Sequence, residues 1–146
     1  MAEQPAELSA EAVVWERRLV IVLRTAAVVT GLAIVPVFFP TSLMASIHEQ
    51  LGLGMFPDGA IVVYLARSLS AFYAMHGGLL WLVSMDVRRF APILTYLIYA
   101  GLVFGVGIII VDCLAGMPLN WTVQEGTSVL VLSGAMLFLR CKAQVR

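Results

Sequence analysis

Residues 60–85 read AIVVYLARSLSAFYAMHGGLLWLVSM, a long and mostly apolar stretch that also contains Arg67, Tyr73 and His76. A helix needs about 20 apolar residues to cross the hydrocarbon core of a bilayer, and this stretch is long enough. An arginine or a histidine well inside such a helix needs a partner, because ionisable groups are costly in lipid. The stretch therefore predicts a membrane-spanning helix against which the other helices pack.

The composition of the whole chain agrees with a membrane protein. Of the 146 residues, 61% are hydrophobic and 12% are charged, and the mean hydropathy is +0.96. Soluble domains carry about 25% charged residues, so much of the charge that solvates a surface is missing. The length corresponds to one domain, so we assign residues 1–146 to a single membrane domain.

Three further stretches have the length and composition of membrane spans. We predict spans at about 19–39, 60–85, 92–114 and 123–139. Residues 42–51 are too few and too polar to span, but Leu43, Ile47 and Leu51 recur at every fourth position, which predicts an amphipathic helix lying in the interface. The expected fold is an all-α bundle of four transmembrane helices, with this short helix between the first and the second.

The positions of the basic residues predict the orientation. The chain has nine Lys and Arg residues, of which Arg24 and Arg67 lie inside apolar segments. The others fall in the N-terminal segment, in the 86–90 turn or in the C-terminal tail, and none falls in 41–59 or 115–125. Basic residues favour the cytoplasmic side of a membrane, so we expect both termini to be cytoplasmic.

One group of polar residues is expected in the outer half of the bundle. Counting depth at about 1.5 Å per residue puts Arg67, Asp112 and Glu125 at similar levels. An unpaired arginine near the middle of a span costs about 3 kcal/mol, so we predict that Arg67 contacts Asp112, with Glu125 as a second acceptor. Tyr64 and Trp121 complete this group, which is either a structural ion-pair cluster or a site for an anion or a lipid headgroup.

A second polar layer is expected deeper in the bundle. It contains His76, Tyr73, Tyr96 and Tyr99. Arg67 and His76 are nine residues apart, so they lie on opposite sides of their helix and do not form one site. We expect the His76 ring to be neutral and hydrogen-bonded to a tyrosine or a carbonyl.

The sequence contains none of the residue arrangements that catalytic or metal-binding sites usually show. His48 and His76 are too far apart for a zinc site or a bis-histidine haem, and Cys113 and Cys141 form no CxxC pair. We find no nucleophile–base pair, no phosphate loop and no nucleic-acid surface. We therefore predict no catalytic residue, no metal site and no nucleic-acid partner, and no cofactor unless a lipid or a quinone binds.

Gly101 and Gly105 form a GxxxG pattern in the third span. Glycines at this spacing let two helix backbones approach closely. We expect the contact within the bundle rather than across a dimer.

Several short stretches resemble an uncharacterised family of small bacterial four-helix membrane proteins. They are Leu51-Gly52-Leu53-Gly54, Tyr64-Leu65-Ala66-Arg67-Ser68, Asp86-Val87-Arg88-Arg89, Gly116-Met117-Pro118, and Trp121 with Glu125-Gly126. The resemblance covers about residues 45–135. It implies a multi-pass protein of the bacterial inner (plasma) membrane and adds no chemistry.

These observations favour a non-enzymatic accessory, assembly or interaction subunit. Its expected partners are the lipid bilayer and either further copies of this chain, in a homo-oligomer, or the other subunits of a larger membrane complex. A lipid- or quinone-binding protein using Arg67, Tyr64 and Trp121 is the first alternative. A small oligomeric transporter or proton relay using Arg67, Asp112 and His76 is the second. An enzyme acting on a lipid is the third, although no catalytic constellation supports it.

Overall fold

The computed structural model describes residues 9–145, which are helical and contain no strand. Five α-helices and one 3₁₀ segment follow one another. They are α1 (Ala10–Gly31), the 3₁₀ segment (Leu32–Phe38), α2 (Thr41–Gln50), α3 (Ala60–Met85), α4 (Ala91–Ala115) and α5 (Leu119–Lys142). The all-α fold predicted from the sequence is confirmed over this part of the chain.

Local sequence signals explain where several of these helices begin and end. The Ser9 side chain caps α1 by accepting a hydrogen bond from the Ala12 backbone N–H at 3.2 Å. Pro36 lies within the 3₁₀ segment, where its missing N–H removes a helical hydrogen bond. Gly116 ends α4 with a φ of 69°, a left-handed conformation that glycine adopts without strain.

Three segments are long and apolar enough to cross a membrane. They are Ala10–Phe38, Ala91–Ala115 and Leu119–Lys142. Helix α3 has 26 residues, which is sufficient length, but Arg67 and His76 lower its hydropathy and it is not among them. The structure thus supports three apolar helices of spanning length, while the predicted fourth span is not confirmed.

Helices α1 and α3 form one closely packed pair, with small residues at the contact. A Cβ atom added to Gly77 of α3 would lie 2.6 Å from the Gly31 backbone N and 2.7 Å from the Ala27 backbone O. No side chain fits in that space. The two backbones are therefore in direct contact at this point.

Helices α4 and α5 form the second closely packed pair. A Cβ atom on Gly105 would lie 2.7 Å from Leu130 Cγ and 3.2 Å from the Gly126 backbone O, and one on Gly101 would collide with the Ser133 hydroxyl. The predicted GxxxG contact is thus made within the bundle. Helix α1 also packs on α5, whereas α3 and α4 have few close contacts with each other.

The apolar core lies at one end of the bundle. We call this end, which contains the 86–90 turn and the C-terminal residues, the terminal end; the loop end contains α2 and the α4–α5 loop. All the buried apolar residues that cluster together belong to the terminal half: Leu19, Leu23, Ala26, Ala27, Leu80, Val83, Val87, Ala91, Leu94, Ile98, Met136, Leu139, Ala143 and Val145. The two helix pairs therefore share a core only in that half.

An ion pair closes the same end of the bundle. Arg88 Nε donates a hydrogen bond to Glu16 Oε2 of α1 at 2.8 Å, and Arg88 Nη2 donates another to the Ala143 backbone O at 3.3 Å. One side chain from the α3–α4 turn thereby joins the start of α1 to the end of α5. This arrangement reinforces the shared core.

Replacing Gly105 with leucine should lower the free energy of unfolding by about 1–3 kcal/mol, because the new side chain must displace Leu130 and the α5 backbone. Gly107→Leu is the matched control, since nothing lies within 4 Å of a Cβ atom at that position. Both substitutions raise helix propensity equally. Thermal unfolding followed by circular dichroism in mild detergent measures the difference, and equal melting temperatures for the two variants would contradict the α4–α5 contact.

Candidate functional site

Glu125 is the centre of the polar contacts in the loop half. Its Oε2 accepts a hydrogen bond from Trp121 Nε1 at 2.6 Å, one helical turn earlier on α5. Its Oε1 accepts a longer one, at 3.5 Å, from the Tyr73 hydroxyl of α3. We call these three residues the Glu125 cluster. Because α3 and α5 are not among the closely packed helix pairs, this cluster joins the two pairs through the interior of the bundle.

The Glu125 cluster combines residues that the sequence placed in two separate layers. Glu125 and Trp121 were expected in the outer group, and Tyr73 in the deeper layer with His76. Helix α5 begins at Leu119 rather than near residue 123, which places Glu125 about 6 Å deeper than expected. The contact with Tyr73 also depends on how α3 and α5 are rotated about their axes, which counting along the chain does not give.

The predicted contact between Arg67 and Asp112 is wrong. Arg67 Nη2 instead donates a hydrogen bond to the Phe39 backbone O at 3.0 Å, and no ion pair joins Arg67 to Asp112 or Glu125 within residues 9–145. Arg67 lies on the side of α3 that meets the end of the 3₁₀ segment. Phe39 has a free carbonyl there because helical hydrogen bonding stops at that point.

Asp112 occupies a different face of the bundle. It is 4% exposed and follows Gly105 by seven residues, so it lies on the side of α4 that packs on α5. Its backbone O accepts a hydrogen bond from Met117 N at 3.0 Å, but its side-chain Oδ2 is buried without a hydrogen-bond partner. The predicted outer group of charges is therefore dispersed, and Tyr64 is an exposed residue outside the Glu125 cluster.

The residues of the predicted deeper layer are also separated. The His76 ring is partly buried and takes part in none of the side-chain hydrogen bonds found between residues 9 and 145, contrary to expectation. Tyr96 and Tyr99 are exposed on the face of α4 turned away from α5, where they line a shallow apolar groove with Ala100, Val103 and Phe104. Of these four residues, only Tyr73 forms a side-chain hydrogen bond among the described residues.

The remaining candidate ligands do not assemble around an ion. His48 Nδ1 lies 3.0 Å from the Gly54 backbone O, and its ring packs edge-on against Phe56, so it stabilises the loop after α2. Cys113 and Cys141 are free thiols. Within the described residues, no group of three or more His, Cys, Asp or Glu side chains is placed to hold a metal.

Two contacts in the structure were not predicted from the sequence, and the first of them follows from helical spacing. Trp121 and Glu125 are four residues apart, the spacing at which helical side chains meet, yet we assigned both to the Arg67 group. Arg24 was an isolated charge in the first span. In the structure its guanidinium lies 5.6 Å from the centre of the Trp81 ring, a cation–π contact between α1 and α3.

The comparisons with known proteins returned no relative. No protein-family model matches the chain, no curated protein matches its sequence, and no solved structure matches its fold. The resemblance seen in the short stretches gains no support from them.

Replacing Glu125 with alanine should lower the free energy of unfolding by about 1–3 kcal/mol, because the partly buried Trp121 N–H loses its acceptor. Glu125→Gln keeps an acceptor oxygen and should retain most of the stability. The matched control is Glu11→Ala, which removes the acceptor of an equivalent but exposed pair, Trp15 Nε1 to Glu11 Oε1 at 3.1 Å. Chemical unfolding in detergent gives the comparison; equal losses at residues 11 and 125 would show that the cluster has no special role.

Proposed function

We propose that this chain is a four-span integral protein of the bacterial inner membrane, with α3 as its remaining span and α2 lying at the outer interface. Support comes from the packing of α3, which runs along α1 with direct backbone contact and has a length of 26 residues. Of the two polar residues that lower its hydropathy, Arg67 is hydrogen-bonded to the Phe39 backbone O and His76 is partly buried. With α3 spanning, both termini and the 86–90 turn are cytoplasmic.

The distribution of apolar residues supports a lipid environment for all four long helices. Large apolar side chains are exposed on each of them, including Val29, Phe72, Val103 and Val131. The closest helix contacts instead involve glycine, alanine and serine. Exposed apolar faces with small residues at the contacts are typical of helices packed in a membrane.

Within that membrane we propose a non-enzymatic role as an accessory or interaction subunit that associates sideways with another membrane protein. The observation that carries this proposal is the groove on the outer face of α4, which has tyrosines at its cytoplasmic end and the small residue Ala100 at its centre. A small residue flanked by larger apolar ones lets a partner helix approach closely. We propose that a transmembrane helix of the partner lies there.

The transporter alternative receives no such support. It requires Arg67, Asp112 and His76 along one path. These residues lie on three different faces of the bundle, and none shares a hydrogen bond with another.

Labelling of single cysteines tests whether α3 spans the membrane. In a chain with Cys113 and Cys141 replaced by alanine, Asp58→Cys and Arg89→Cys place one thiol before α3 and one after it. In intact cells stripped of their outer layers, a membrane-impermeant maleimide should label residue 58 only, and residue 89 should react after the membrane is opened. Labelling of both sites from the same side would disprove the fourth span.

Bulky substitutions test the interaction role. In mild-detergent extracts of native membranes, we expect the 15.8 kDa chain to migrate within a larger assembly, and Val103→Trp should release it as a monomer because the indole fills the groove. Val29→Trp on the exposed face of α1 is the control and should leave the assembly intact. A wild-type chain that migrates alone, or two variants that behave alike, would overturn the interaction role.

A further inference from the structure

Along one stripe of α3, exposure increases from the terminal end as far as Leu69, and the next residue of the stripe, Val62, is partly buried. Residues seven apart lie on nearly the same face of a helix. Val83, at the terminal end, is 0% exposed, His76 is partly buried, and Leu69 is 54% exposed. The element that covers this face at the terminal end therefore moves away from it between Val83 and Leu69.

The same increase is found along a stripe of α4. Leu97 packs against the shared core and Val111 is 55% exposed. Phe104 lies between them, is 47% exposed and also forms the edge of the groove on the outer face of α4. This stripe lies about a quarter turn from the glycine face that packs on α5. In a bundle whose successive neighbours are α1, α3, α4 and α5, it is the side of α4 that faces α3.

Together the two stripes form the walls of a cleft. Helices α3 and α4 are joined by the tight 86–90 turn and share the core at the terminal end, but they have few close contacts beyond it. The α3–α4 cleft is thus closed at the terminal end and open toward the loop end and toward the lipid. The Glu125 cluster lies on its inner side, since Tyr73 reaches across the interior to α5.

His76 lies at the closed end of this cleft with its hydrogen-bonding capacity unused. A neutral imidazole has one N–H donor and one acceptor nitrogen, and His76 makes no side-chain hydrogen bond within residues 9–145. It is nine residues from the cytoplasmic end of α3, or about 14 Å along the axis, which places it near the middle of a bilayer about 30 Å thick.

We propose that the α3–α4 cleft binds a neutral lipid with a carbonyl headgroup, of the isoprenoid quinone class, whose carbonyl oxygen accepts a hydrogen bond from His76. This inference rests on the proposed placement of α3 as a membrane span. A phosphate headgroup does not fit, because an ion at that depth is costly. A transmembrane helix does not fit either, because the cleft covers only the loop half of the bundle while a helix must cross the whole bilayer.

Fluorescence in lipid nanodiscs tests the proposal. Phosphatidylethanolamine–phosphatidylglycerol discs hold the chain with Trp15→Phe and Trp81→Phe, so that emission comes from Trp121 of the neighbouring Glu125 cluster. Titration with decylubiquinone should give saturable quenching. His76→Ala should raise the half-saturating mole fraction roughly tenfold, the effect of about one hydrogen bond. His48→Ala, which changes the other histidine of the chain, should leave it unchanged.

The melting temperature provides a second test, which does not require the histidine variants to fold. Decylubiquinone should raise the melting temperature of the wild-type chain, and Leu69→Trp should abolish that rise by filling the cleft, whereas Val131→Trp on the exposed face of α5 should not. Non-saturable quenching, an equal effect of His48→Ala, or equal saturation by diacylglycerol would overturn the quinone site. If residues 58 and 89 label from opposite sides and saturation is absent, the four-span proposal stands and this inference alone fails.

Discussion

Direct backbone contact between helices is the constraint on which this structure depends. In lipid no hydrophobic effect drives two apolar helices together, so association relies on close packing and on polar bonds. Gly77 meets Gly31 and Ala27 on one side of the bundle, and Gly105 meets Gly126 on the other. Each of these contacts excludes even a methyl group, and each fixes the register of one helix pair. The fold is therefore two rigid pairs, α1 with α3 and α4 with α5.

The two helix pairs are linked by more contacts at the terminal end of the bundle than at the loop end. At the terminal end they share an apolar core, and Arg88 links Glu16 to Ala143. At the loop end the link is the Glu125 cluster, whose contact between pairs is the long hydrogen bond from Tyr73. The contacts between the two helix pairs are extensive at the terminal end and few at the loop end, so the distance between the pairs is least constrained at the loop end. That distance is the width of the α3–α4 cleft.

The sequence predicted the helices well because their signals are local. Apolar length and the glycine spacing at 101 and 105 need no knowledge of neighbours, and the glycine contact was assigned to the bundle correctly. The polar contacts were predicted less well. They depend on how each helix is rotated about its axis and on how deep each residue lies in the bundle, and the sequence determines neither. The start of α5 was also predicted four residues too late, which placed Glu125 about 6 Å too shallow.

The pairing of charges failed for a related reason. Arg67 and Asp112 were matched by depth alone, as the two opposite charges without partners. The sequence does not show that a free backbone carbonyl at Phe39 lies nearer to Arg67, since every residue has a carbonyl and only the chain path decides which is available. It likewise gives no sign that Asp112 turns toward α5.

The bond from Arg67 to Phe39 O has a consequence for how this region tolerates change. The acceptor is a main-chain atom, so no substitution of the Phe39 side chain removes it. Its position is set by the number of residues between the end of α1 at Gly31 and the start of α2 at Thr41, including the 3₁₀ turns around Pro36. The hydrogen bond of Arg67 thus depends on the length and path of this segment rather than on the side chain of residue 39, and an insertion or deletion between Gly31 and Thr41 displaces the acceptor.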